Sequence, residues 1–152
     1  MGMTRQDRPS LFIDKKLRWW HEGGEILHPR LLAFLQKRLR FDKEAKEFYI
    51  EDQSDRLKVQ VEDVPFLVLD LEFQGQELQA TLSNGEIKKL DPRSFQVGED
   101  GGLYVRLNPE GYDVKLSRQA QARLLQKKLI EAGGQFFLWL ENQTYPILQR
   151  KA

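Results

Sequence analysis

Apolar and polar residues alternate along most of this chain with a period of two, and only two stretches change to a helical period. Leu57, Val59 and Val61 alternate with Lys58, Gln60 and Glu62, the pattern of a half-buried strand. Leu67, Leu69, Leu71 and Phe73 repeat it with Asp70 and Glu72 opposite, and Leu78, Ala80 and Leu82 follow. Asn84-Gly85 then predicts a type I′ hairpin, in which both central residues take positive φ. Short strands are predicted at 11–13, 17–21 and 25–27, turned by Gly23-Gly24, and at 48–50, 103–107 and 112–116. Phe136–Leu140 and Tyr145–Leu148 predict a closing hairpin.

The first helical stretch follows His28-Pro29, since proline needs no N–H in a first helical turn. Leu31, Leu35 and Leu39 recur at i, i+4 and i+8, with Leu32 and Phe34 alongside. Lys37, Arg38 and Arg40 crowd its C-terminal end, where cations complement the helix dipole. The second helix is predicted over about 118–132, with Ser117 as N-cap and Gly133-Gly134 as a left-handed stop. The expected fold class is α+β, with antiparallel sheets and two main amphipathic helices. Residues 1–10 read as a flexible tail, 11–90 as an N-terminal half, and 91–102 as an acidic, glycine-rich connecting loop. Residues 103–152 read as a C-terminal half that completes a shared core. The aromatic hairpins at 17–27 and 136–148 each adjoin a basic helix, so a duplicated hairpin-plus-helix core is expected.

Composition narrows the chemistry. There is no cysteine, which removes disulfides, thiolate zinc sites and thiol nucleophiles. The longest apolar run, Val64–Leu69, falls far short of the roughly 20 residues of a membrane span, and no apolar leader follows the polar N-terminus. A cytoplasmic location without a membrane role is expected. The net charge of +1 conceals segregation: residues 1–50 carry +4, residues 51–113 carry −8, and residues 114–152 carry +5.

His21 and His28 could approach across a hairpin, with Glu22 or Glu25 beside them, but a protein metal site wants three or more ligands at regular spacing. The more ordinary reading puts His28 at a helix start and His21 at a strand edge. None of the nucleophile or phosphate-loop motifs occurs, so no catalytic residue, metal or cofactor is expected. Basic residues on both helices, among them Arg30, Arg118, Arg123, Lys127 and Lys128, raise the possibility of single-stranded nucleic-acid binding with exposed aromatics. The acidic middle and near-neutral total weigh against a polyanion. Trp19 and Trp20 are adjacent, so on a strand they face opposite ways, and one of them is a candidate groove residue.

The stretch from Trp19 to Phe66 resembles an uncharacterised bacterial family, domain of unknown function twelve-eighty-five (DUF1285). The resemblance runs through Ile26, Ala33-Phe34, Leu39, Phe48-Tyr49-Ile50 and Asp55-Arg56 to Val61-Glu62-Asp63-Val64-Pro65-Phe66. Leu103-Tyr104-Val105-Arg106, Arg123, Leu129-Ile130-Glu131 and a Trp139 hairpin extend it over 11–148. His28, where the family has Arg, and Asp52-Gln53, where it has Thr-Pro, depart from it. The resemblance implies two similar halves, the second loosely like pleckstrin-homology modules, a ligand site where they meet, and no established activity. The expected role is therefore non-enzymatic: a binding or signalling module that takes a protein or small anionic ligand between its halves. Arg106 and Arg123 are the expected charged contacts, flanked by Trp19 or Trp20 and by Asp55-Arg56.

Overall fold

The computed structural model describes residues 11–151, so the expected tail over 1–10 lies outside the described residues. The chain divides into two compact units, residues 1–65 and 66–152. The division falls inside the Val61–Phe66 element, between Pro65 and Phe66.

In the first unit, β1 (Leu11–Ile13), β2 (Trp19–His21) and β3 (Gly24–Glu25) lead to α1 (Pro29–Arg38). A meander of β4 (Leu39–Asp42), β5 (Glu47–Asp52) and β6 (Asp55–Val61) follows. These strands form one six-stranded sheet in the order β3-β2-β1-β6-β5-β4, antiparallel except where β1 runs parallel to β6. The period of two delivers Leu11, Ile13, Trp19, Ile50 and Val59 to one face, where all are buried. Leu35 of α1 is buried as well, and α1 packs against β5.

The second unit begins with β7 (Leu67–Gln74), β8 (Glu77–Leu82), β9 (Ile87–Val97), β10 (Leu103–Leu107) and β11 (Asp113–Leu116). Each pairs with the next, and β11 pairs in parallel with β7, so the five strands close into a small barrel. Val68, Leu78, Leu82, Phe95, Val105 and Val114 fill its core. Two irregularities permit closure. A bulge between Val68 and Asp70 resets the alternation, so that Val68 and Leu71 are buried while Leu69 is exposed. In β9, Pro92 cannot donate to a ladder, and the β10 register shifts beside it. Ser94 repairs the gap: its hydroxyl donates to the Asp91 carbonyl and accepts from the Arg106 N–H.

Ser117 caps α2 (Arg118–Lys127) by accepting from the Ala120 N–H, and its own N–H donates to the Val68 carbonyl. Ala120 and Leu124 are the buried side of α2, which packs on β7 and β11. A three-stranded sheet of β12 (Leu129–Ala132), β13 (Gln135–Leu140) and β14 (Gln143–Pro146) follows, and β15 (Leu148–Gln149) returns parallel to β9.

The α+β class is as expected, but several boundaries differ. Both helices end early, at Arg38 and Lys127, and strands begin at Leu39 and Leu129. Leu39 continues the helical stripe in sequence yet pairs with Ile50 in the sheet, because a strand start at that position buries it equally well. Gly133-Gly134 is consequently the turn between β12 and β13, with both residues at positive φ, and caps no helix. At Asn84-Gly85 only Gly85 has positive φ, so the hairpin is not of type I′. The expected loop over 91–102 is shorter, since residues 91–97 belong to β9. These elements do not establish the expected duplicated hairpin-plus-helix core or the likeness to pleckstrin-homology modules. Each unit holds a ten-residue helix followed by a three-stranded meander, and Leu-Gln-Lys-Arg-Leu at 35–39 matches Leu-Gln-Lys-Lys-Leu at 125–129.

Burial on α2 gives a direct test. Leu124→Ala is expected to cost about 2–5 kcal/mol in urea unfolding, and Leu125→Ala less than about 1 kcal/mol. Equal costs would contradict this packing face.

Candidate functional site

The sequence-predicted residues divide between the units. Trp19 is only 1% exposed and belongs to the core of the first. Trp20 points the other way, half-buried, with its indole N–H donating to Asp14 Oδ2 at 2.9 Å. The Arg18 guanidinium lies 5.7 Å from the Trp20 ring centroid and also donates to Asp14. Asp14 further accepts from the backbone N–H groups of Lys16 and Arg18. Burial pushes this carboxyl up, but the bonds from Trp20, Arg18 and Lys16 outweigh it and hold the pKa at about 2. Trp20 is therefore fixed in a turn that orders the β1–β2 hairpin.

Arg56 reaches across to the neighbouring strands of its sheet. Its guanidinium donates to Asp42 Oδ2 at 3.0 Å and stacks 4.0 Å from the Tyr49 ring. The N–H of Ala45 and Arg56 together lower the Asp42 pKa, and Asp42 in turn raises that of Arg56. Asp55 sits opposite Asp52 at the β5–β6 turn. His28 caps α1, its Nδ1 accepting from the Leu31 N–H, while His21 ends β2 with Nε2 3.9 Å from Glu22. Among the described residues, no three His, Asp or Glu side chains gather as a metal cluster.

In the second unit, Arg123 of α2 pairs with Asp70 of β7. Arg106 of β10 pairs with Asp113 at 3.5 Å. Asp113 also receives Arg150 at 2.8 Å, and Arg150 lies 4.0 Å from the Tyr104 ring. Lys115 reaches the same ring and pairs with Asp100 at 2.6 Å, which lowers the Asp100 pKa. These cations already hold carboxylates, so the expected pair Arg106 and Arg123 does not converge on one acceptor.

Sequence reasoning missed a cavity in this unit. It has a volume of about 590 Å³ and is lined by Leu103, Leu125, Leu129, Phe136, Ile147 and Leu148, with Val97, Gly101 and Gly134 at its margins. Its polar lining is three uncharged amides, Gln121, Gln135 and Gln149. Gln121 fixes the wall: Oε1 accepts from the Leu103 N–H at 3.1 Å, and Nε2 donates to the Gly101 carbonyl at 3.0 Å. Leu125, Phe136 and Leu148 remain about half exposed, an unusual concentration of wet apolar surface. No local motif signals this site, because its residues come from β9, β10, α2, β12, β13 and β15. A second concavity, in the first unit, is lined by Lys46, Glu47, Lys58 and Glu62 as well as Phe12 and Phe48.

No family model matches the chain, and no curated protein matches it. Two solved structures do. A DUF1285 family protein from Silicibacter pomeroyi DSS-3 matches with a TM-score of 0.69 at 21% identity, over 93% of this chain and 81% of that one. A second, from Shewanella baltica OS155, matches with a TM-score of 0.60 at 23% identity, over 78% of this chain and 91% of that one. The chain has the fold of these DUF1285 proteins. The resemblance carried by residues 11–148 thus finds its counterpart in three dimensions.

Asp14 gives the test of the local electrostatics. Its depressed pKa means its stabilisation is present above the unfolded value near 4 and is lost as pH falls through about 2. Asp14→Asn should lower stability at neutral pH by about 2 kcal/mol and flatten the loss between these limits. Parallel urea-midpoint curves for the two proteins from neutral to acid pH would contradict the assignment.

Proposed function

We propose that this protein is a non-enzymatic binding module that accepts a small, uncharged, mainly apolar ligand in the cavity of its second unit. The observation that carries this reading is the cavity lining. A volume of about 590 Å³ lies within the range of small-molecule sites, and such sites combine apolar walls with a few placed polar groups. Leu125, Leu129, Phe136 and Ile147 supply the walls, while Gln135 and Gln149 offer both donors and acceptors. No charged side chain lines it, so an anion would lose hydration there without gaining a partner. The reading replaces the expected anionic ligand with a neutral one, and Arg106 and Arg123 become framework residues.

The shared fold and the Val61–Phe66 element support membership of the DUF1285 family. A signalling role would follow if ligand occupancy changed how the protein meets a partner.

The neutral fluorophore N-phenyl-1-naphthylamine tests the site. Its emission should rise saturably with the full-length protein, and Leu125→Arg should weaken binding by about tenfold or more. Because Leu125 is exposed, the substitution should change stability by less than about 1 kcal/mol. Unaltered binding by a folded Leu125→Arg protein would refute the placement.

A further inference from the structure

Several cations of this structure meet carboxylates. Arg18 pairs with Asp14, Arg56 with Asp42, Lys58 with Glu47, and Lys88 with both Glu86 and Glu110. The segment around α1 is built differently. From Ile26 to Phe41 it contains Arg30, Lys37, Arg38 and Arg40 and no Asp or Glu. Among the described residues none of these four cations forms an ion pair with a carboxylate. Arg40 donates to the carbonyls of Lys37 and Leu39, and Arg38 stacks on the Phe34 ring at 4.3 Å.

The same segment exposes apolar side chains. Leu35 faces the core, but Leu31 is 45% exposed and Phe34 51%. Leu27, just before the helix, is 72% exposed. Leu27, Leu31 and Phe34 are spaced i, i+4 and i+7, which on the helix places Leu31 and Phe34 on one face. Arg30 and Lys37 stand one residue before Leu31 and Arg38, at the flanking positions where helix pairs exchange charge.

We propose that this face of α1 docks an acidic amphipathic helix of a partner protein, its apolar row against Leu31 and Phe34 and its carboxylates against Arg30 and Lys37. Charge complementarity selects the partner: an all-basic rim without internal carboxylates is satisfied by an acidic one. The spacing is that of helix-in-groove anchors. A single apolar row is narrower than the broad face that settles a helix into a bilayer, and the stacked Arg38 guanidinium covers a face of the Phe34 ring that a nucleic-acid base would need. The surface belongs to the first unit and does not rest on the ligand reading of the second.

The test uses the full-length protein and two synthetic helical peptides with the same leucine seam, one flanked by Glu and the other by Lys. Fluorescence anisotropy should show the Glu peptide binding at least about tenfold more tightly than the Lys peptide, with affinity falling as salt rises. Leu31→Glu combined with Phe34→Glu should abolish this binding, whereas Ile87→Glu, at an exposed site in the second unit, should not. Arg30→Glu combined with Lys37→Glu should reverse the peptide preference, which keeps the test decisive if the apolar variant fails to fold. Equal binding of both peptides, no binding of either, or an unchanged preference after charge reversal would overturn the proposal. So would α1-dependent sedimentation with vesicles of phosphatidylcholine and phosphatidylglycerol in the absence of peptide binding.

Discussion

The closure of five strands into a ring is the constraint on which the second unit depends. A ring leaves no ladder edge among its members, so each strand must satisfy two neighbours at once. Strand β9 carries the heaviest demand, because it serves β8, β10 and the returning β15 along eleven residues. Its register with β10 shifts beside Pro92, and the Ser94 hydroxyl takes over where the ladder is interrupted. The parallel join of β11 to β7 then delivers Ser117 to the Val68 carbonyl, which fixes where α2 begins. Once α2 is placed, the end of β9, the start of β10 and the turn of β12–β13 surround one apolar space. The cavity is thus a consequence of closure. Gly98 shows how tight the corner is, since a Cβ there would lie 2.8 Å from the Tyr104 ring.

Surface electrostatics obey a simpler rule. The cations singled out for binding, Arg56, Arg106 and Arg123, each have a carboxylate on a neighbouring element. Such exposed pairs contribute only about 0–1 kcal/mol, but they give each guanidinium a carboxylate partner within the protein. Asp14 works harder, because the two oxygens of its buried side chain gather four donors and couple both the Arg18 and Trp20 side chains to the hairpin.

Much of the fold was legible in the pattern. The period-two runs at 57–61, 78–82 and 103–107 became strands, and both helix starts were marked by their caps, His28 and Ser117. What the pattern could not carry was non-local. Leu39 and Leu129 extend a helical stripe as well as they begin a strand, and only pairing with Ile50 and Leu138 decides between the two. The bulge after Val68 inverts an alternation that reads cleanly as Leu67, Leu69, Leu71 and Phe73, because ring closure outweighs local regularity. The cavity was illegible for the same reason: its walls are far apart in sequence, and leucines in a wall look like leucines in a core. The opposite faces of Trp19 and Trp20 were readable, whereas the Asp14 acceptor that holds Trp20 was not, since a lone turn aspartate carries no pattern.

The central claim is that the cavity of the second unit is where this protein meets a neutral ligand. Backbone amide shifts of the full-length protein, recorded with and without N-phenyl-1-naphthylamine, test it most directly. The account predicts that the perturbed amides cluster at Gly101, Gly134, Phe136 and Gln149, with the sheet of the first unit unchanged. Perturbations centred on β1, β5 and β6, or spread without focus over the barrel's outer face, would contradict it.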